Sequence, residues 1–512
     1  MILILPVIIL TVITFLGLWV YDLRDAFKSD KHFSFKTQPI FRYTIYSVAL
    51  IVGSICFSNS EIFSGILSSF KWLIYPFSIF ISLIISALWF QHINKLDIYE
   101  PEKYKHLLAV FGVGALCTFG VYPLSYAFEW GLIQDFNGEF VNDILYSIVG
   151  IGMIEEFVKI LPVIILARYT KLLNQPFDYL LFGTMSALGF AFIENSIYLF
   201  QSDLTAIDGR ALYASPAHMI LTSYICYQWS VAKFNNQDKI LVKVFVAYMV
   251  SSVAHGLYDF WLISSAAFGL SIISILILLL GLKVWVRLAN NLMNISNFYD
   301  NSVRFNANFY KYGLSVLLIA VLSFTYFSKA LLYDSKSANS LLFDSVFHYS
   351  FLMAYIGINF SNIVVIKNYV APLTEDFSFS LGMFLPLGIN KKSCTGSRVK
   401  LFLTEYMRLS ELGDKLYDQL PMKGKIVQRI VVDQDITYYI FKPDASIILP
   451  GVNNEYYAIT NLDTDIPLCS KKSVMAKLYG LRSGVDFDKP EFGKKELRHI
   501  QNVRCRGVFL KK

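Results

Sequence analysis

Gly152-Met153-Ile154-Glu155-Glu156-Phe157-Val158-Lys159 places three charged side chains inside the apolar run 144–167. That run is long enough to cross the roughly 30 Å of a bilayer's hydrocarbon as a helix. On a helix Glu155 and Lys159 are four residues apart and Glu156 and Lys159 three apart, so one ammonium reaches both carboxylates. A charge at the bilayer centre costs about 2.5–3.5 kcal/mol on insertion scales and must find a partner or a water-filled cavity. The stretch is therefore either an internal ion pair that locks helix packing or a carboxylate kept ionised for use as a base.

The neighbouring apolar runs repeat the pattern. Run 179–200 carries Glu194 and Asn195, run 211–232 carries Pro216 and His218, and run 244–264 carries His255 and Asp259. Glu194 and Asn195 point about 100° apart and could border one cavity. Gly183, Ala187 and Gly189 allow a close neighbouring helix. Pro216 frees a backbone carbonyl one turn earlier. His255 and Asp259 share a face, so Asp259 can fix the imidazole tautomer, and Gly256 leaves room for a substrate backbone or a water. Counted at 1.5 Å per residue from the cytoplasmic span ends, Glu155 and His255 lie at about 17–18 Å and Glu194 and His218 at about 21–23 Å. Four alternately oriented helices thus bring their polar groups to overlapping depths, as one shared polar site requires.

The whole chain fits this picture. Of 512 residues 55% are hydrophobic and 16% aromatic, and the mean hydropathy is +0.50. The apolar excess lies before residue 371, in about eleven candidate spans near 1–21, 40–58, 72–91, 107–129, 144–167, 179–200, 211–232, 244–264, 266–282, 312–332 and 346–366. The first lacks the basic start and cleavage site of a signal peptide and reads as a retained anchor. Lys and Arg concentrate in alternate loops, which puts the N-terminus outside and the tail in the cytoplasm. The net charge of +7 follows from that bias and does not call for nucleic acid. Six cysteines without CxxC spacing indicate neither a disulfide framework nor a zinc ribbon.

The fold expected is a mainly α, polytopic membrane bundle with a soluble α+β domain at its C-terminus. Four parts follow: N-terminal spans 1–140, a core 141–265, further spans 266–370 and a cytoplasmic domain 371–512. In the last, an interfacial stretch at Phe379–Leu387 and a helix over Arg398–Leu420 are expected. Strands are expected at Lys425–Val432, Ile436–Phe441, Ser446–Leu449 and Tyr456–Ile459. Lys471, Lys472 and Lys477 read as a solvated or membrane-facing surface. The sequon Asn294-Ile295-Ser296 falls on the cytoplasmic side by loop charge and is discounted.

Taken in order, Glu155-Glu156-x-x-Lys159, Gly189-Phe190-Ala191-x-x-Glu194-Asn195, Pro216-x-His218 and His255-x-x-x-Asp259 resemble the motifs of the PrsW-type intramembrane proteases. Those enzymes stand with the prenyl-protein (CAAX) endopeptidases and bacteriocin-processing proteases, which carry Glu-Glu-x-x-x-Arg, Phe-x-x-x-Asn/His and His-x-x-x-Asn/Asp. The resemblance covers residues 140–265, about a quarter of the chain. It implies a glutamate-dependent peptidase acting on a membrane protein within the lipid bilayer, with no cofactor. Glu155 would activate water, tuned by Glu156. His255 and Asp259 would stabilise the oxyanion, while Glu194, Asn195 and His218 complete the cavity. Glu194 replaces the relatives' Asn or His, and Lys159 stands one residue before their Arg. Two alternatives stay open. A zinc metalloprotease could take His218, His255 and a carboxylate as ligands, although no His-Glu-x-x-His is present. A proton- or ion-coupled transporter would also bury Glu and His, but no inverted repeat is visible.

Overall fold

The computed structural model describes residues 71–129, 135–235 and 239–300, part of 303–371, residue 396, and the segments 398–403, 421–433, 436–445, 456–461, 474–481 and 500–511. The expected spans 1–21 and 40–58 lie outside the described residues, and 312–332 and 346–366 lie only partly within them. The chain divides into two compact units, 1–289 with 305–363 and 290–304 with 364–512.

The first unit is helical. Its elements are α1 (Ile74–Asn94), α2 (Tyr104–Cys117), α3 (Val121–Glu129), α4 (Phe140–Leu145), α5 (Ile154–Tyr169), α6 (Pro176–Gln201), α7 (Ser215–Phe234), α8 (Ile240–Ile263) and α9 (Ile272–Asn294), whose last turn passes into the second unit. A single 3₁₀ turn, Thr118–Gly120, joins α2 to α3. Among the described residues five helices are long and apolar enough to cross a membrane: α1, the Tyr104–Ala127 stretch, α6, α8 and α9. The described residues therefore do not reach the expected eleven. The last of these also corrects a boundary. The run 266–282 was expected to span, but Ser265–Ala267 is a 3₁₀ turn and the helix starts at Ile272. Gly269 turns the chain there at φ +81°, a conformation only glycine adopts without strain.

Helix α6 is the hub. It packs against α1, α2, α5 and α7, and Leu180, Leu181, Phe182, Ala187 and Leu188 are wholly buried. Its start is a capping box, in which Gln175 and Asp178 satisfy each other's backbone N–H groups. The expected small-residue contacts are present: a Cβ on Gly183 would run into Cys226, and one on Gly189 into the backbone of Phe111. Beside this start, Asp97 in the α1–α2 link accepts from Glu102 N at 2.9 Å and Gln175 Nε2 at 3.1 Å. Burial pushes its carboxyl up to about 7.

Two stretches wind as π-helix, Tyr146–Met153 before α5 and Arg210–Ala214 before α7. π-bulges often stand at functional sites because the extra residue per turn re-aims the side chains that follow. Tyr248 Oη donates to Met153 O at 2.7 Å and so satisfies a carbonyl at the end of the first wide stretch. Pro216 was expected to break a helix interior. It sits instead in the first turn of α7, where its missing N–H costs nothing, and the irregularity is the wide turn ahead of it.

Gly256 corrects another expectation. It leaves no space for a substrate backbone, because a Cβ there would collide with the backbone of Ser147 and Ile148. Gly152 meets the backbone of Ser252 and Gly256 in the same way. This glycine-on-glycine crossing brings α8 against the wide turn that leads into Glu155 and Glu156.

Among its described residues the tail is built of strands. Six antiparallel strands, β1 (Arg398–Leu403), β2 (Met422–Asp433), β3 (Ile436–Pro443), β4 (Tyr457–Asn461), β5 (Val474–Leu481) and β6 (Ile500–Lys511), pair in sequence order, and β6 returns to β1 to close a barrel. Strands β2, β3 and β4 match three of the expected segments. Ser446–Leu449, Phe379–Leu387 and residues 404–420 lie outside the described residues. The expected helix fails at its first turn. Val399 and Leu401 point inward with Arg398 and Lys400 between them, and pairing with β2 and β6 makes this period of two the operative one. Lys477 lies in β5, while Lys471 and Lys472 lie outside the described residues. Asn294 is wholly buried and donates to Tyr369 O at 2.8 Å, which agrees with discounting the sequon.

Two predictions follow from this packing. Gly256→Ala lowers thermal stability in detergent by about 1–3 kcal/mol, the usual cost of overpacking, whereas Gly112→Ala, with nothing within 4 Å of its Cβ, leaves the melt unchanged or slightly raised. Asp97 holds its proton in the folded state through about pH 7, so its contribution to stability is complete below the ordinary carboxyl range and is lost as pH rises through that value. Melting temperatures taken across that window therefore fall in the native chain and fall less in Asp97→Asn, where the buried Asp178 still titrates in the same range.

Candidate active site

The polar side chains foreseen on four helices meet in one continuous network. Its centre is Lys159, whose side chain has no exposed surface. Nζ donates to Glu155 Oε2 at 3.0 Å, to Glu156 Oε1 at 3.1 Å and to His218 Nδ1 at 2.8 Å. It also lies 4.3 Å from the ring centre of Phe190, a cation–π contact. Its own helix is pinned to α6 by Ser186 Oγ, which donates to Lys159 O at 2.6 Å. An ammonium has no lone pair, so His218 Nδ1 must accept, and the proton of that imidazole sits on Nε2. Nε2 lies 2.6 Å from Glu194 Oε2.

Glu155 and Glu156 differ in their surroundings. Glu156 is fully enclosed: Thr222 Oγ1 donates to its Oε2 at 2.8 Å, and His255 Nδ1 lies 2.9 Å from its Oε1. Glu155 keeps 13% of its side chain exposed, with Oε2 3.5 Å from His255 Nε2. Asp259 Oδ2 stands 3.4 Å from the same nitrogen. Asp259 was expected to fix the tautomer of His255. Asp259 faces Nε2 at the open side, while Nδ1 lies closer to Glu156, at 2.9 Å.

Two participants were not foreseen as site residues. Arg210, in the π-helical stretch, contacts Glu194 Oε2 at 2.9 Å through a terminal nitrogen and donates from Nε to Asn195 Oδ1 at 2.6 Å. Asn195 then donates to Ser215 Oγ at 3.0 Å, and Ser215 donates back to Arg210 O at 2.8 Å. Asn195 is wholly buried. It is a strut that holds Arg210 and does not line the cavity. Thr222 is the second, one helical turn beyond His218 on the same face. Arg210 was also detectable: it is the basic residue at the edge of an otherwise uncharged span, three positions before Tyr213.

The arrangement is ordered by depth of burial. Lys159, Glu156 and Asn195 form a closed base, while Glu155, Glu194, Arg210 and Asp259 retain exposed surface at its mouth. A partly exposed carboxylate above a buried cation, with an imidazole beside it, can polarise a water and hold the negative charge that develops when water attacks a carbonyl.

Residues 102–286 match the family model described as PrsW family intramembrane metalloprotease. The membrane core of this chain is similar to the PrsW family over these residues. Relatives named Protease PrsW include that of Clostridioides difficile (strain 630), 28% identical over 39% of this chain and 84% of its own length. The protein of Shouchella clausii (strain KSM-K16) is 27% identical over 40% of this chain and 95% of its own. That of Bacillus subtilis (strain 168) is 27% identical over 32% and 72%. No solved structure matches the chain. The PrsW match contains every residue of the network and stops before the barrel.

The family's name as a metalloprotease implies a metal. Glu155, His218 and His255 offer donor atoms that all lie within 4.8 Å of one another, a set right in kind for zinc. Their engagement does not fit. His218 uses Nδ1 to accept from Lys159 and presents Nε2 to Glu194, and Lys159 also holds the Glu155 oxygen. A dication would have to displace a buried ammonium from two of its three ligands, so the arrangement fits an internal cation and not a metal.

Removal of Lys159 leaves two carboxylates buried together without a counter-charge. Lys159→Met therefore costs about 3–5 kcal/mol of stability, as for other broken buried ion pairs. The double variant Lys159→Met/Glu155→Gln, with one carboxylate fewer, recovers part of that loss in the same thermal melt.

Proposed function

We propose that this chain is an intramembrane endopeptidase that hydrolyses a peptide bond of a membrane-embedded or membrane-anchored protein with a water activated by Glu155. The observation that carries the reading is the unequal treatment of the glutamate pair. Glu156 is sealed and fully bonded, whereas Glu155 lies against Lys159 and His255 yet stays open to water. The names of the PrsW relatives support the reaction class.

In the proposed reaction Glu155 takes a proton from water as the oxygen attacks the scissile carbonyl. His255, taken as an imidazolium among Glu155, Glu156 and Asp259, carries a proton on both nitrogens and donates Nε2–H to the forming oxyanion. Glu155 then returns the proton to the departing nitrogen, and the tetrahedral centre collapses to an acid and an amine. Lys159 stays in place as the counter-charge of Glu155. Arg210 and Glu194 hold His218 at the mouth, and substrate approaches on the side where Glu155, Glu194 and Asp259 are exposed. By loop charge the N-terminus lies outside and the barrel in the cytoplasm.

Glu155→Gln in full-length protein reconstituted with a membrane substrate abolishes cleavage, by at least about 10²-fold for loss of a general base, while the variant still expresses and folds. Chelators leave the rate of the native protein unaltered. Cleavage that persists in Glu155→Gln overturns the assignment of the base. Activity lost to chelation and restored by zinc would instead favour the second reading, in which Glu155, His218 and His255 bind a metal.

A further inference from the structure

The barrel carries a concentration of positive charge that its own fold opposes. Register places Arg398 of β1 opposite Lys425 of β2, and Lys425 opposite Lys442 of β3, so three cations form one row across three strands. The next row on β1 and β2 pairs Lys400 with Lys423. Residues directly opposite in an antiparallel pair stand about 4.5–5.5 Å apart at Cβ, and like charges there are destabilising. These side chains alternate with buried Val399, Met422, Gly424 and Ile426, so all five project from the outer face. Arg429, exposed further along β2, extends the same surface. Among the described residues the acidic counterweight is Asp444, which pairs with Arg398 at 2.8 Å. Lys400 and Lys423 have no ion-pair partner among them. Between the two rows lies an open cleft of about 250 Å³ lined by Arg398, Lys400, Lys423, Gly424 and Asp444.

Where the barrel is held bears on what neutralises this face. The last turn of α9, a helix long and apolar enough to cross a membrane, lies in the same compact unit as the barrel. Asn291 brackets Ala371, accepting from its N–H at 2.8 Å and donating to its carbonyl at 3.0 Å, and Asn294 binds Ile366 N at 2.7 Å and Tyr369 O at 2.8 Å. Tyr369 then packs edge-on against Phe402 of β1, with ring centres 5.2 Å apart, in a cluster with Ile366 and Ala371. The first barrel strand is thus fastened, through a few side chains, to the end of a membrane helix.

We propose that the β1–β2–β3 face of the barrel docks on the anionic phospholipid headgroups of the membrane that holds the helices, with one headgroup phosphate seated in the Arg398–Lys400–Lys423 cleft. Phosphate oxygens would relieve the repulsion across both rows at once. Each basic residue near an anionic surface strengthens attachment about fivefold. The inference does not depend on the proposed role of Glu155, and residues 102–286 of the family match do not include this surface.

The test is hydrogen–deuterium exchange of the full chain in nanodiscs of phosphatidylcholine alone and of phosphatidylcholine mixed with phosphatidylglycerol. Exchange across β2 and β3 slows by at least about fivefold in the mixed discs, and the slowing disappears at high salt. In Lys400→Gln/Lys423→Gln/Lys425→Gln the lipid dependence is lost, while exchange of β4 in the neutral discs equals that of the native chain and shows the barrel to be intact. Should the variant fail to fold, the salt series on the native chain decides the matter alone. Exchange indifferent to phosphatidylglycerol, or a lipid effect that survives high salt, overturns the proposal. Equal slowing by inorganic phosphate in neutral discs also overturns it and assigns the cleft to a soluble anion.

Discussion

A single buried ammonium organises the membrane core. Lys159 is the common partner of two adjacent carboxylates on its own helix and of an imidazole from another. Without it Glu155 and Glu156 would be like charges in a medium that solvates neither. With it both carboxylates have a counter-charge inside the helical core, and His218 accepts through Nδ1. The network then extends through Glu194 to Arg210 and through Glu156 to His255. Stability and chemistry use the same groups, since the contacts that make burial tolerable also aim the side chains.

Backbone geometry sets up this convergence. Both π-helical stretches lie immediately before a helix that carries site residues, and both end where a compensating contact is made. After the first, Gly152 and Gly256 let α8 approach within backbone contact, which fixes the distance between Glu156 and His255. After the second, Ser215 and Asn195 bind Arg210 at both its side chain and its carbonyl. The glycines and the wide turns serve placement, and the space at the site lies on the other side, where Glu155 and Asp259 are exposed.

The barrel poses the opposite electrostatic problem. Charges in the membrane core are balanced internally, whereas the β1–β2–β3 face gathers cations with little internal compensation among the described residues. A solvated surface carries such charges at small cost, and anions from outside relieve the cross-strand repulsion that Asp444 leaves.

Much of the core was legible because helical periodicity is short. Residues three and four apart share a face, so Glu155, Glu156 and Lys159 had to meet, as did His255 and Asp259. Long apolar runs that enclose charge likewise announced a polar site in a membrane. Contacts between distant segments were not encoded in any local pattern. Arg210 reaches Glu194 from a wide turn outside the expected span, and Gly256 reads as free space until another backbone is seen against it. In the tail, Leu401 and Leu403 fit both a helical and an alternating pattern, and only hydrogen bonding to β2 and β6 chose the strand. The amino-acid order by itself determined which residues carry charge into the apolar helices and at what depth, because a helix has a fixed rise and pitch. The tertiary structure alone decided which of those charges are sealed and which stay open to water, because burial depends on what other helices bring to the same place.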